Sequence, residues 1–398
     1  MKKALIITNV SGFLWKFELD NVAILQSLGY EVHFASNINE KGYPFEVYEL
    51  EELGIVFHHI EIARSPYMWK MNARALKQIK KIITEEHVGI IHCHTPVGAL
   101  LGRLAVIGNA NRKKLKVIYT AHGFHFYKGA PLLNNVVFKA VECWLAPLTD
   151  TLIVINSEDY AQAKKLCLRK GGYVEQIPGI GLDFDRFTPV SDQKKLELRK
   201  KYGIPQYAFL ALSVGELNLN KNHKTVIEAI KGIKEEWPCE NVVYGICGDG
   251  YWKDDIQEYA KTMGVESEIR FFGYQRNIEE YYAMADITIF PSKREGLGMV
   301  GIESLAMGIP VIASDNRGTR EYMLDGKNGY VCKWNDSQAF KQSIVTYKKL
   351  LPNQKLAMRS NCRISVKKFD KNNTHLIMER IYKRLDQEVY RNGGCTED

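Results

Sequence analysis

Short apolar runs and helix-periodic segments alternate along almost the whole chain, and they do so twice. Runs at Lys3–Thr8, Tyr30–Ala35, Val56–Ile60, Val88–Cys93, Lys116–Thr120 and Thr151–Ile155 each have the length of a buried strand. Helical patterns lie between them, at about 16–28, 69–86, 96–108, 132–147 and 157–168. The rhythm restarts with strands at Phe209–Val214, Asn241–Cys247, Ile269–Phe272, Asp286–Phe290 and Val311–Ala313. Its helices fall at about 222–235, 251–263, 277–284 and 299–307. Strand–helix–strand alternation points to a parallel sheet, because the helix carries the chain back to start the next strand in the same direction. Between the halves, Ile177–Pro189 holds two prolines and two glycines in thirteen residues, which marks a linker. The 398 residues exceed what one core usually takes. The expectation is therefore α/β, with two Rossmann-like doubly wound domains and a charged helical section from about Gln338.

Charge and apolar content narrow the function. Lys plus Arg minus Asp plus Glu is 54 − 46 = +8, a mild and scattered excess. That fits an anionic ligand or an anionic membrane surface and is too weak to argue for nucleic acid. The apolar start, Met1–Ile7, stops at Thr8 and Asn9, too short for a secretion leader, so it reads as the first strand. No run approaches the roughly 18 apolar residues of a membrane span. The eight cysteines (93, 143, 167, 239, 247, 332, 362 and 395) show no CxxC spacing and read as reduced, mostly core residues of a cytoplasmic protein.

The stretch Ser292–Val311 carries the strongest chemical signal. It links two apolar runs and holds two carboxylates, Glu295 and Glu303, in the sequence Glu-Gly-Leu-Gly-Met-Val-Gly-Ile-Glu. Glu295 falls in a glycine-bearing loop. Glu303 falls about one turn into a helix that should begin near Gly298 or Met299, and it shares a face with Met299. A helix start offers free backbone N–H groups and a positive dipole end, which suit phosphate. Gly296 and Gly298 would let a ligand come close to the main chain, and the flanking carboxylates would accept hydrogen bonds from hydroxyls. A nucleotide sugar has both parts. In doubly wound sheets, ligands lie beyond the carboxyl ends of the strands. Asn9–Gly12, His94, His122, Gly215–Lys221, Gly248–Gly250, Gly273–Tyr274 and Arg294–Val300 all fall at such ends. Two domains placed face to face would gather them in one cleft.

Several motifs admit a plainer reading. His92 and His94 lie two apart on a strand and point the same way, with Cys93 opposite. Without a carboxylate or cysteine cluster at ligand spacing, no metal is expected there. His122 reads as a polar contact in the site, His92 as partly buried, and His94 and His125 fit either role. Asp183-Phe-Asp185 resembles a metal-binding DxD but sits in the linker, where a structural role fits better. Leu132, Leu133, Val136, Val137, Phe138, Val141, Trp144 and Leu145 form a wide apolar stripe. It reads first as a core helix covering the sheet. In the alternative, its start lies in a membrane interface, helped by Lys70, Lys77, Lys80, Lys81, Arg112, Lys113, Lys114 and Lys116.

Taken together, the chain resembles the family-4 retaining glycosyltransferases of GT-B fold, nearly end to end. The resemblance rests on the paired Glu295 and Glu303, on Val214–Asn222, on Gly248–Gly250 and Phe272–Tyr274, and on Ile180–Asp183 with Arg186-Phe187. Ile91–Gly98 and Thr120–Phe126 resemble the subgroup found in bacterial exopolysaccharide and capsule clusters. The resemblance implies a catalytic setting for His122 and Glu295, with Glu295 on the transferred sugar and Glu303 on the ribose hydroxyls. It implies Lys221 on the donor diphosphate and a close approach of the first loop at Gly12. Gly215, Glu216, Asn222, Gly248, Tyr274, Arg294, Gly298, Met299 and Val300 complete the implied donor site. One position departs from the pattern: many members carry Arg where Glu216 stands, and Arg294 is the nearby candidate for the missing charge.

The implied domains are residues 1–183 for acceptor binding, 184–370 for the nucleotide sugar, and a C-terminal helix within 371–398 crossing back to the first. The implied reaction moves a hexose or N-acetylhexosamine from a nucleoside-diphosphate sugar, expected to be a UDP-sugar, with no further cofactor. The expected acceptor is a polyprenyl-diphosphate-linked glycan at the inner face of the plasma membrane. Two rivals fit the same architecture: a nucleotide-sugar epimerase, and a non-catalytic nucleotide-sugar-binding subunit. A dehydrogenase does not fit, since Asn9-Val-Ser-Gly12 lacks the GxGxxG spacing.

Overall fold

A computed structural model describes residues 1–40, 46–238 and 241–391, so Cys239 and Cys395 lie outside the described residues. The chain divides into two compact units, Met1–Gly181 with the residues from Asn372 onward, and Leu182–Lys371. The first unit is built on a seven-stranded parallel sheet. Its strands are β1 (Lys2–Ile7), β2 (Tyr30–Ser36), β3 (Ile55–His59), β4 (Ile90–Cys93), β5 (Lys116–Ala121), β6 (Thr151–Val154) and β7 (Tyr173–Gln176). They lie in the order β3-β2-β1-β4-β5-β6-β7. The second unit holds a six-stranded parallel sheet of β8 (Phe209–Val214), β9 (Val242–Cys247), β10 (Ile269–Gly273), β11 (Ile287–Phe290), β12 (Val311–Ser314) and β13 (Gly329–Cys332). Its order is β10-β9-β8-β11-β12-β13. In each sheet the strand order reverses at the middle, between β1 and β4 and between β8 and β11. These are the points where a doubly wound sheet leaves a crevice at its carboxyl edge.

The central strands are apolar on both faces because helices cover both faces. In the helix Trp69–Glu85, Ala75, Ile79 and Ile83 recur every fourth residue and are fully buried against the first sheet. The lysines between them face out. Each such isoleucine contributes about 2–3 kcal/mol of apolar burial. In the second unit, Val226, Ile230 and Ile233 of the helix His223–Glu236 do the same work.

The C-terminal helix Lys371–Asp386 packs on the first sheet through Met378, Ile381, Tyr382 and Leu385, all buried. Ion pairs Lys2–Asp386 and Lys116–Glu388, both 2.6 Å, fasten its end.

The structure corrects several expectations. The helical pattern at about 16–28 is two helices, Gly12–Phe17 and Leu19–Ser27, broken at Glu18, whose backbone leaves the helical region. Two strands are additional, β7 and β13, and so are the helices Val47–Glu52 and Asp192–Lys201. The helix Leu132–Leu145 covers little of the core: Leu145 is its sole buried residue, and Phe138 packs on the core while partly buried. Cys143 and Cys167 are exposed, whereas Cys93, Cys247, Cys332 and Cys362 are buried free thiols.

Candidate functional site

In the second unit, the loops after β8 and β11 meet at the point where the strand order reverses. The loop after β8 turns at Gly215, whose φ of 145° is open to glycine. A Cβ on Gly248, after β9, would lie 1.8 Å from the carbonyl oxygen of Gly215, so these two loops can touch only with glycine there. Asn218 then closes a turn, its side-chain oxygen accepting from the backbone N–H groups of Asn220 and Lys221. The Asn220 side chain bridges to the backbone of Arg294 in the loop after β11. Lys221 emerges from this scaffold with its ammonium 2.7 Å from Glu295 Oε1 and over the Phe290 ring at 5.2 Å. The pair is largely sheltered, with side-chain exposures of 19% and 16%. Asn222 takes a left-handed conformation just before the helix His223–Glu236 and donates to the carbonyls of Pro291 and Trp334.

The second carboxylate is held differently. The helix Met299–Ala306 starts after Gly298, whose φ of 83° and close packing on Phe290 and Tyr322 both require glycine. Tyr322 donates to the carbonyl of Gly298. Met299 and Val300 form the partly buried start of that helix, and the partly buried Glu303 accepts from the Tyr282 hydroxyl at 2.8 Å. The short spacing therefore places a cation–carboxylate pair, a helix N-terminus and a tyrosine-held carboxylate within one unit. Such a set can neutralise an anionic diphosphate and accept from hydroxyls.

Not every expected contact is gathered there. Glu216 is exposed, and its carboxylate accepts from Asn218 at 3.1 Å, so it belongs to the loop's own turn. Arg294 and Tyr274 are exposed, and Arg294 is fixed through its backbone. Gly12 is buried at the start of its helix in the first unit, without the positive φ of a close-approach glycine. Asp183 forms a turn with the N–H groups of Asp185 and Arg186 and pairs with Lys371 at 2.8 Å, which holds its carboxyl below the usual range.

The first unit places His94 beyond β4 and His122 beyond β5, beside the reversal at β1. His94 is fully buried and His122 partly so, with His94 Nδ1 and His122 Nε2 3.2 Å apart. His92 is buried too, with Nδ1 on the Tyr382 hydroxyl (2.7 Å) and Nε2 on the Thr120 hydroxyl (2.8 Å). Burial holds His92 at about 3, His122 at about 4 and His94 well below the ordinary value, so all three rings are neutral at pH 7.

The carboxylate missing from the sequence pattern is Glu18, 2% exposed, with Oε2 3.3 Å from His94 Nε2. Ligand atoms of Glu18, His92 and His94 lie within 4.8 Å of one another. Both His92 nitrogens are already engaged, which leaves two donors, short of the three protein ligands of a catalytic zinc. The one sequence signal for Glu18 was an acidic residue inside an apolar segment. His125 packs on Phe138 at 5.0 Å, away from this cluster.

The helix Leu132–Leu145 presents Leu132, Leu133, Val136, Val137 and Trp144 to the outside, the first two at 83% and 72% exposure. It is fastened from its other side by Glu142 to the buried Arg103 at 2.6 Å. Of the basic residues expected beside it, Arg112 and Lys116 are spent on Asp150 and Glu388, and Lys80 on a backbone carbonyl. No helix among the described residues is long and apolar enough to cross a membrane.

Comparison with known proteins places this arrangement. Residues 4–157 match the family described as Glycosyl transferase 4-like, and residues 194–367 match Glycosyl transferases group 1. A Bacillus subtilis (strain 168) protein that bears the name glycosyltransferase EpsD as a provisional assignment is 41% identical over 86% of each chain. An Escherichia coli protein named UDP-Gal:alpha-D-GlcNAc-diphosphoundecaprenol alpha-1,3-galactosyltransferase is 28% identical over 73% of each. Among solved structures, Anabaena HepE in complex with UDP and glucose superposes with a TM-score of 0.75 at 17% identity, covering 96% of this chain and 100% of that one. At that identity the likeness speaks for the fold. Both halves of the sequence match glycosyltransferase families, and the 41% relative spans most of the chain; this chain is a glycosyltransferase enzyme of the group 1, family-4-like class, with the GT-B fold.

Proposed function

We propose that the enzyme transfers a hexose or N-acetylhexosamine from a UDP-sugar, with retention of configuration, to a polyprenyl-diphosphate-linked glycan in surface polysaccharide synthesis. The observation that carries the donor half is the sheltered Lys221–Glu295 pair beside the start of the helix Met299–Ala306. In this reading Lys221 and the N–H groups of Met299 and Val300 hold the diphosphate, with Gly215, Gly248 and Gly298 giving it room. Glu303 accepts from the ribose hydroxyls and Glu295 from the transferred sugar. Asn222 anchors the loop, and Tyr274 and Arg294 lie at its rim. His122 acts at the reacting centre. Catalysis then comes from positioning and from electrostatic stabilisation of the departing diphosphate, with no acid and nucleophile pair of the hydrolase kind. No metal enters this scheme.

The lipid-linked acceptor is supported by the E. coli relative's name and by the exposed apolar face of the helix Leu132–Leu145. An apolar face of this size on a surface helix suits the boundary between headgroups and acyl chains. The enzyme would then work as a cytoplasmic protein seated peripherally on the inner leaflet.

A thermal-shift series with UDP, GDP, ADP and NAD, run beside Lys221→Ala, tests the donor assignment. Stabilisation by UDP alone, lost in the variant, is expected. Preference for another nucleotide overturns the base, and indifference to all four overturns the donor site. UDP-sugars are then supplied with a polyprenyl-diphosphate N-acetylhexosamine in anionic vesicles. Release of epimer without acceptor would favour epimerisation instead.

A further inference from the structure

The carboxyl of Glu18 and the rings of His94 and His122 form a chain through the interior of the first unit. Glu18 Oε2 lies 3.3 Å from His94 Nε2, and His94 Nδ1 lies 3.2 Å from His122 Nε2. Glu18 stands at the break between the helices Gly12–Phe17 and Leu19–Ser27, which turns its side chain inward. Asn21 donates to the same carboxyl oxygen at 2.6 Å. His94 Nε2 is fully buried and has no hydrogen-bond partner, so a neutral carboxyl that rotates to donate to it would satisfy it. The cavity these groups line, of about 20 Å³, has room for about one water.

We propose that Glu18 and His94 are positioning residues that set which ring nitrogen of His122 carries its proton. The inference rests on the reading of His122 as a group at the reacting centre. The proton count admits two arrangements. With Glu18 protonated, its O–H donates to His94 Nε2, His94 Nδ1–H donates to His122 Nε2, and His122 carries its hydrogen on Nδ1. When Glu18 loses its proton, His94 turns to the Nε2–H tautomer and accepts at Nδ1 from His122 Nε2–H. His122 Nδ1 is then a bare acceptor. The change balances: the O–H proton passes to His94 Nε2, the His94 Nδ1 proton passes to His122 Nε2, and the His122 Nδ1 proton leaves to solvent or substrate. Neither imidazole becomes charged at any stage.

Burial favours this path. It lowers the pH at which either ring would take a second proton to well below neutrality, and it pushes the Glu18 carboxyl up to about 8. Asp20 adds to that rise and the Asn21 hydrogen bond opposes it. The other titratable groups facing the carboxyl are His92, His94 and His122 from the strands and their ends, and Tyr382 and His375 from the C-terminal helix. Near neutral pH the first arrangement holds, and His122 presents a hydrogen-bond donor.

Ring-nitrogen NMR on the full chain with 15N-labelled histidine tests the inference without any substrate. From about pH 6 to about pH 10, His94 and His122 should stay neutral and pass together from the Nδ1–H to the Nε2–H form, with one shared midpoint. In Glu18→Gln, whose amide can still donate to His94, both rings should keep the Nδ1–H form throughout. Independent exchange of the two rings, uptake of a second proton, or the same exchange in Glu18→Gln would overturn the proposal. His94→Phe, which breaks the chain, should remove the midpoint from His122. Turnover then separates the inference from the functional reading. Loss of activity with the same midpoint in wild type, absent in Glu18→Gln, is expected. A tautomer exchange without that loss would leave the chain intact and overturn the role given to His122.

Discussion

The Lys221–Glu295 pair makes a prediction with opposite signs at its two ends. Without donor, the Lys221 ammonium is already engaged by Glu295 at 2.7 Å, and both side chains are more than four-fifths covered. A diphosphate must take or share that ammonium, and it does so against a fixed carboxylate. A hydrogen bond between charged groups contributes about 1.5–3 kcal/mol net. Lys221→Ala forfeits that contact with the diphosphate and also leaves Glu295 facing it as a like charge. UDP binding should therefore weaken by about 10- to 150-fold, towards the upper end.

Glu295→Gln frees Lys221 from its competitor, and partial relief of about 1–2 kcal/mol should tighten UDP binding by about 5- to 30-fold. Turnover of a UDP-sugar by that variant should nonetheless fall, because the carboxylate assigned to the sugar hydroxyls is gone. Isothermal titration with UDP at fixed ionic strength measures both constants. The double variant should bind UDP better than Lys221→Ala alone, because the repelling carboxylate has been removed, and its change minus the sum of the two single changes is the coupling energy. Weaker UDP binding by Glu295→Gln would refute the reasoning. It would mean that the pair acts as one structural strut and that the carboxylate does not compete with phosphate.

Gly248→Ala should cost at least about 3 kcal/mol in urea denaturation and abolish nucleotide binding, because its Cβ would collide with the Gly215 carbonyl at a φ of 148°. Tyr282→Phe removes a donor to Glu303 and should cost about 1–3 kcal/mol of stability while weakening UDP binding, read by denaturation and titration together. His92, His122 and His223 keep folded values of about 3, 4 and 3, below the unfolded 6.5, so the unfolded chain binds more protons below that pH. Stability should then fall as pH drops from about 6.5 towards 4, by up to about 1.4 kcal/mol per group per pH unit. Glu18 has the opposite sign: folded near 8 against an unfolded 4.5, it costs stability as pH rises between those values, and Glu18→Gln should remove that loss in melts at pH 5 and pH 8. Leu133→Ser with Val136→Ser should leave stability within about 0.5 kcal/mol, since both side chains are exposed, yet reduce sedimentation with anionic vesicles.

The central strands are the most legible in sequence. Leu5, Ile6 and Ile7, or Leu210, Ala211 and Leu212, are covered on both faces and therefore read as unbroken apolar runs. Of the four edge strands, β3 and β10 carry apolar runs and are legible, whereas β7 and β13 are not. β7 is Tyr-Val-Glu-Gln, half-buried throughout, and β13 opens on a glycine, so neither has an apolar run to detect. The helix Asp192–Lys201 escapes notice for the converse reason, with two leucines among its charges. The helix Leu132–Leu145 misleads because apolar periodicity reports a face that avoids water and does not say what covers it. At the proposed donor site, the glycines are visible because backbone geometry restricts which residues can stand there, and Lys221 and both glutamates because charge stands out beside them. Tyr282 is not visible, since a tyrosine among apolar neighbours reads as core until the fold brings its hydroxyl to Glu303.

Glu18 shows why the hidden part has a consistent character. On the donor side, the chemistry needs charge, and charged residues at glycine-rich strand ends stand out in any sequence. The first unit holds the reverse: three histidines kept neutral and one carboxyl kept protonated, all by burial. Burial is a property of the fold, so neutrality of this kind has no sequence motif. The difference has a measurable consequence. Salt screens the approach of an anionic nucleotide to the Lys221 ammonium, so UDP affinity should fall with ionic strength and should fall less steeply in Lys221→Ala. Glu18 and His94, the inner members of the chain, are buried, and its tautomer midpoint should hold its pH across the same salt range. A midpoint that moved with salt as UDP affinity does would mean that the chain is open to solvent, and the argument from burial would fail with it.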